Sequence, residues 1–102
     1  MRLRMMPALL VLGCGSAAPS DAMLSSGNPA SGERVYVQEA CADCHGEFGE
    51  GGSGGPLGSV HGMSNVDLWD VIYHGTEGMP DYPHLSDQEI ADMIAWMRDT
   101  VL

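Results

Sequence analysis

The sequence predicts an all-α fold of three main helices and long loops. Three stretches carry helix-start residues followed by apolar residues three and four apart. No stretch alternates apolar and polar residues in the manner of a half-buried strand. The 102 residues also include 14 glycines and 6 prolines, which give much of the chain to loops. One domain is the natural reading of this length. Aromatic residues make up only 6%, so the core is small and the fold needs a staple: disulfides, a metal or a cofactor.

Residues 1–13 read as a signal peptide. Arg2 and Arg4 form a positive start, and Ala8 to Leu12 form a short apolar run. That run is too short to span a bilayer. It ends in Val11-Leu12-Gly13-Cys14, which resembles the lipobox of bacterial lipoproteins, with Leu12 larger than the small residue usual at that place. The resemblance implies that Cys14 is lipidated and anchors the protein to a membrane on the periplasmic side. An ordinary secretory signal cut near Ala17-Ala18 is the alternative. On either reading the domain is exported to an oxidising compartment.

Residues 14–28 are rich in Ser, Ala, Gly, Pro and Asn and read as a flexible tether. The domain proper is expected over 29–102. Its first helix starts after Asn28, a good N-cap, with Pro29 at the first helical position, and runs to about Cys41. Gly32 and Tyr36 share one face of it. From Gly46 to Gly62 the glycine density predicts a loop, without the Gly-Lys-Ser/Thr of a phosphate-binding loop. Glycines there let the backbone pass close to a flat ligand. A second helix starts at Ser64, with Asp67 in a capping-box position, and stops at Gly75. A third starts at Ser86-Asp87-Gln88-Glu89, a full capping box. Ile90, Met93, Ile94, Met97 and Val101 form its apolar stripe, and Arg98 suits its negative end.

The chemistry is concentrated in Cys41-Ala42-Asp43-Cys44-His45. C-x-x-C-H is the spacing that attaches a c-type haem. Two thiols on one turn add to the two vinyl groups of a porphyrin, and the next residue places an imidazole where it can bind iron. With Cys41 and Cys44 so used and Cys14 unpaired, no disulfide framework is expected.

Together these parts resemble a class I c-type cytochrome from about Pro29 to Val101. The sequence order matches: helix, C-x-x-C-H, a glycine-rich loop with Gly55-Pro56-Leu57, a short helix, Gly78-Met79-Pro80, and a capped C-terminal helix. The resemblance implies a cytochrome c-like fold around one haem c, covalently held through Cys41 and Cys44, with iron ligated by His45 and Met79. Pro80 biases Met79 away from helical geometry. Met63 is a rival ligand, and His61, His74 and His84 are further rivals. Met93 and Met97 fall on a helix stripe and read as core. The resemblance also implies that the carbonyl of Pro56 accepts the His45 ring N–H, that Leu57 packs on the ring, and that Gly32 and Tyr36 pack against Trp96. Trp69 reads as either core or haem edge.

Acidic residues number 14 and basic ones 4, all arginine. Losing Arg2 and Arg4 with the leader moves the net charge from −10 to −12. This argues against nucleic-acid binding. It suits a redox partner protein with a basic docking surface, but not one that recognises a ring of lysines. The reading is a carrier of single electrons between membrane-associated or periplasmic proteins, not an enzyme. The alternative is a haem subunit or gas sensor with an open or exchangeable distal site. Zinc held by Cys41, Cys44, His45 and another histidine, or a thioredoxin-like pair, are the readings without haem.

Overall fold

The computed structural model describes residues 17–100. Its α-helices are α1 (Asp21–Leu24), α2 (Pro29–Gln38), α3 (Ala42–His45), α4 (Asn65–His74) and α5 (Asp87–Thr100), with a 3-10 turn at Gly58–Gly62. The described residues contain no strand, and Thr76 and Met79 form an isolated bridge. The expected signal peptide, Cys14 and Val101 lie outside the described residues.

The three long helices begin where their caps predict. Asn28 accepts from the Ser31 N–H at 3.1 Å, Ser64 from the Asp67 N–H at 3.1 Å, and Ser86 from the Glu89 N–H at 3.0 Å. Glu89 completes the last box by accepting from the Ser86 N–H at 2.8 Å. Each such cap stabilises its helix by roughly 1 kcal/mol.

The core forms where α2 crosses α5. Gly32 of α2 lies so close to the Asp92 carbonyl of α5 that a Cβ there would collide with it. One turn on, Tyr36 and Trp96 meet with ring centroids 4.4 Å apart. Ile90, Met93, Ile94 and Met97 of α5 are buried, as the apolar stripe predicts, and Ala91 is buried with them. The buried Asp92 carboxylate accepts from the Asn28 N–H at 2.7 Å and from Gln88 at 2.9 Å.

Two expectations need correction. Part of the expected tether over 14–28 is folded: residues 21–24 form α1, and Leu24 is buried in the core. The composition is that of a linker, but Ser20 caps the turn and Leu24 is an apolar anchor. The first helix also ends at Gln38 rather than near Cys41. Ala40 adopts φ 60°, a left-handed setting that is rare for a residue with a Cβ. This break redirects the chain so that α3 is a separate turn.

Arg98 does more than complement its helix end. Its guanidinium donates to the carbonyls of Val60 and Met63 at 3.0 and 2.8 Å, and to the Asn65 side chain at 2.8 and 2.9 Å. It thereby ties the 3-10 turn and the start of α4 to α5.

Candidate functional site

α3 is a single turn that begins after Cys41. The N–H groups of Cys44 and His45 both bond the Cys41 carbonyl, at 3.2 and 3.0 Å. Residues three and four apart share a helix face, so Cys41, Cys44 and His45 are presented together. The two thiols are not joined in a disulfide. Burial pushes the Cys41 thiol up to about 11, with Glu39 adding to the rise. Cys44 is exposed.

The loop after α3 wraps back over it. Gly51 N–H bonds the His45 carbonyl at 2.7 Å, Gly54 N–H the Cys44 carbonyl at 2.8 Å, and Leu57 N–H the Gly49 carbonyl at 2.9 Å. A Cβ on Gly54 would lie 2.8 Å from the Cys44 Cβ and 3.1 Å from the His45 ring. The loop is glycine-rich because the backbone itself lies against the attachment turn.

His45 Nδ1 lies 2.9 Å from the Gly55 carbonyl. A carbonyl only accepts, so Nδ1 carries a ring proton, and in the neutral imidazole the lone pair is then on Nε2. The acceptor corrects the sequence expectation, which gave this role to Pro56. Gly55 has φ +76°, a setting natural to glycine, and this turns the Gly55–Pro56 peptide toward the ring. Pro56 lines the cavity instead, and Leu57 lines it where it was expected.

That cavity has two adjoining recesses. The first, of about 270 Å³, has an apolar wall that includes Leu57, Val60, Leu68, Val71, Ile72, Leu85 and Met97. The second, of about 490 Å³, lies toward Cys44, Ser53, Thr76, Gly78 and Pro80. Cys41, His45, Gly54, Met79 and Tyr82 line both. Met63 and Met93 line the first alone. His61, His74 and His84 line neither. His74 bonds Asp70 and His84 bonds Glu39, each at 2.8 Å. The His84 bond holds the Glu39 carboxyl below the usual carboxylate range. Among the described residues, no three His, Cys, Asp or Glu side chains are grouped to hold a metal ion, and the zinc reading gains no support.

The Met79 segment is built differently. Thr76 and Met79 exchange backbone hydrogen bonds at 3.0 and 3.2 Å, and the Tyr82 N–H bonds the Ile72 carbonyl at 3.1 Å. Gly75, at φ +75°, begins the turn, and a Cβ there would sit 2.7 Å from the Met79 carbonyl. Trp69 lines neither recess. It stacks on Tyr73 at 4.8 Å and donates to Asp87 at 3.1 Å.

An apolar cavity, two thiols on one turn and an imidazole with a free Nε2 at its wall fit a covalently attached haem. The chain is a class I c-type cytochrome, and its cofactor is one haem c attached through Cys41 and Cys44. More narrowly, it belongs to the family described as cytochrome c oxidase, cbb3-type, subunit III, whose model matches residues 27–97. It is also 32% identical over 89 residues to cytochrome c-555 of Methylococcus capsulatus, covering 85% of this chain and 70% of that protein. No solved structure gives a significant match.

Sequence reasoning missed three participants. Gly55 was hidden behind the more conspicuous Pro56. Tyr82 lines both recesses from a segment without secondary-structure periodicity. Tyr36 read as a packing aromatic, but its hydroxyl donates to the Gly46 carbonyl at 2.7 Å.

Proposed function

We propose that this protein is a single-electron carrier whose haem iron is ligated by His45 and Met79. The observation that carries the reading is that Met79, alone among the described methionines, lines both recesses with His45. Bound haem supplies an iron centre that accepts and returns one electron. The rest is the work of this chain. Cys41 and Cys44 fix the ring in place. The Nδ1–H bond to Gly55 orients the imidazole and raises its donor strength. The Met79 thioether, soft and neutral, favours the reduced metal and raises the potential. The apolar wall keeps water from the ring.

The partners are redox proteins, and the electrostatics favour basic docking surfaces. Asp43, Glu47, Glu50, Glu77 and Asp81 are exposed on the segments bordering the second recess. Electron exchange with a basic partner should slow as salt is added. Residues 1–13 act as the export signal and Cys14 as a lipid anchor on the periplasmic side. Among the described residues no helix is long and apolar enough to cross a membrane.

The test is the absorption spectrum of the mature protein, ferric and reduced, beside Met79→Ala. A c-type reduced spectrum and a weak far-red ferric band, lost in Met79→Ala and kept in Met63→Leu, supports His45/Met79 ligation. A band that survives Met79→Ala overturns it. The description of the matched family favours one second reading, a haem subunit of a larger enzyme, for which an exchangeable distal site would be the added feature. Ready binding of carbon monoxide by the reduced protein would bring that reading forward.

A further inference from the structure

The hydroxyl of Tyr36 has a role that helix packing does not require. The ring is already placed by its contact with Trp96, at 4.4 Å between centroids. Yet the hydroxyl, on a residue only 2% exposed, reaches out of α2 to the Gly46 carbonyl at 2.7 Å. Gly46 directly follows His45. The same carbonyl accepts from the Gly49 N–H at 3.2 Å, and the Gly49 carbonyl accepts from Leu57 at 2.9 Å. Between Gly49 and Leu57 lies Gly55, whose carbonyl holds His45 Nδ1 at 2.9 Å. Hydrogen bonds joined by short stretches of backbone therefore lead from α2, through both ends of the glycine-rich loop, to the imidazole. Burial pushes the Tyr36 hydroxyl up to about 12, so it stays a donor at any physiological pH.

We propose that Tyr36 is a positioning residue for the proximal ligand: its hydroxyl fixes the loop that sets the His45 Nδ1–H bond to Gly55, and so tunes the donor strength of the imidazole. The inference rests on the reading of His45 as an iron ligand. The loop has few side chains and no helix or strand of its own, so its position depends on such bonds. Removing the hydroxyl takes the shorter of two bonds from the Gly46 carbonyl, and one such bond is large enough to change a local opening equilibrium about tenfold. A weaker Nδ1–H bond leaves the imidazole a poorer donor, which disfavours the oxidised metal.

The test uses the haem-loaded protein with Tyr36→Phe, which keeps the ring, and Trp96→Phe, which loosens the same aromatic contact but keeps the hydroxyl. Two quantities are read: the hydrogen-exchange rate of the His45 Nδ1 proton by NMR, and the reduction potential. Tyr36→Phe is expected to speed that exchange about tenfold and to raise the potential. Trp96→Phe is expected to lower the melting temperature without moving either quantity. Equal responses in both variants, or none in Tyr36→Phe, overturn the proposal. If Tyr36→Phe does not mature, the unmodified protein decides. A His45 Nδ1 proton that exchanges as fast as one in an open loop overturns the proposal, and one protected along with the Gly51 and Leu57 amides supports it. Failure of the ligand reading is seen separately, as an unmodified protein whose spectrum lacks imidazole ligation.

Discussion

The two sides of the cavity are held by different means. The His45 side is held mostly by backbone, with the Tyr36 hydroxyl added at Gly46. Its loop closes through main-chain bonds to Cys44, His45 and Gly49, with the Gly55 carbonyl on the imidazole. The Met79 side is a short turn fixed by the Thr76–Met79 pair and one bond from Tyr82 to Ile72. Its further tie is a side-chain contact, His84 to Glu39 at 2.8 Å, with His84 mostly exposed. Main-chain bonds within a tight loop are lost together or not at all. An exposed ion pair contributes little, typically below about 1 kcal/mol. The attachment side is thus the more tightly tied of the two. On the proposed His45/Met79 ligation, that places ligand exchange on the Met79 side.

The strongest way to break the comparison is to remove the attachment itself. Cys41→Ala with Cys44→Ala should abolish covalent haem, read as loss of haem stain on a denaturing gel. Next in size are the two glycines that permit close approach. Gly54→Ala drives a Cβ against Cys44 and the His45 ring, and should cut the yield of mature holoprotein severalfold. Gly75→Ala forces both a left-handed φ and a contact with the Met79 carbonyl, at a cost of about 1–3 kcal/mol. It should weaken the far-red ferric band while leaving haem attached. If Gly75→Ala blocks attachment and Gly54→Ala does not, the assignment of the two sides is wrong.

The two sides also differ in how much of each could be read from the chain. The attachment turn was legible because its chemistry needs fixed residue types at fixed spacing. The long helices were legible because caps and apolar stripes are local signals, and Ser64, Ser86 and Asn28 act as caps in the structure. α1 was hidden, since one turn with a single buried leucine has no periodicity. The acceptor for His45 went to Pro56 instead of Gly55 because a carbonyl belongs to every residue. Only the backbone turn at Gly55 decides which one faces the ring. Pairing of His84 with Glu39 joins residues 45 apart and leaves no trace in local sequence.

That last pair gives the smallest effect and the sharpest pH test. The depressed Glu39 carboxyl means that the folded state favours its ionised form. Its contribution to stability is therefore present above the ordinary carboxylate range and is lost as pH falls through the folded value. Glu39→Gln should remove that dependence and cost about 0.5 kcal/mol near neutrality, as expected of a partly exposed pair. His84→Ala should match it, and the double variant should cost no more than either single change. The Met79 segment should respond before the rest of the fold. Imidazole added to the ferric protein should displace Met79 up to a few times more readily in Glu39→Gln at neutral pH, and the difference should vanish in acid. An equal change in the hydrogen exchange of the Gly51 and Leu57 amides would show that the pair stabilises the whole cavity rather than its Met79 side.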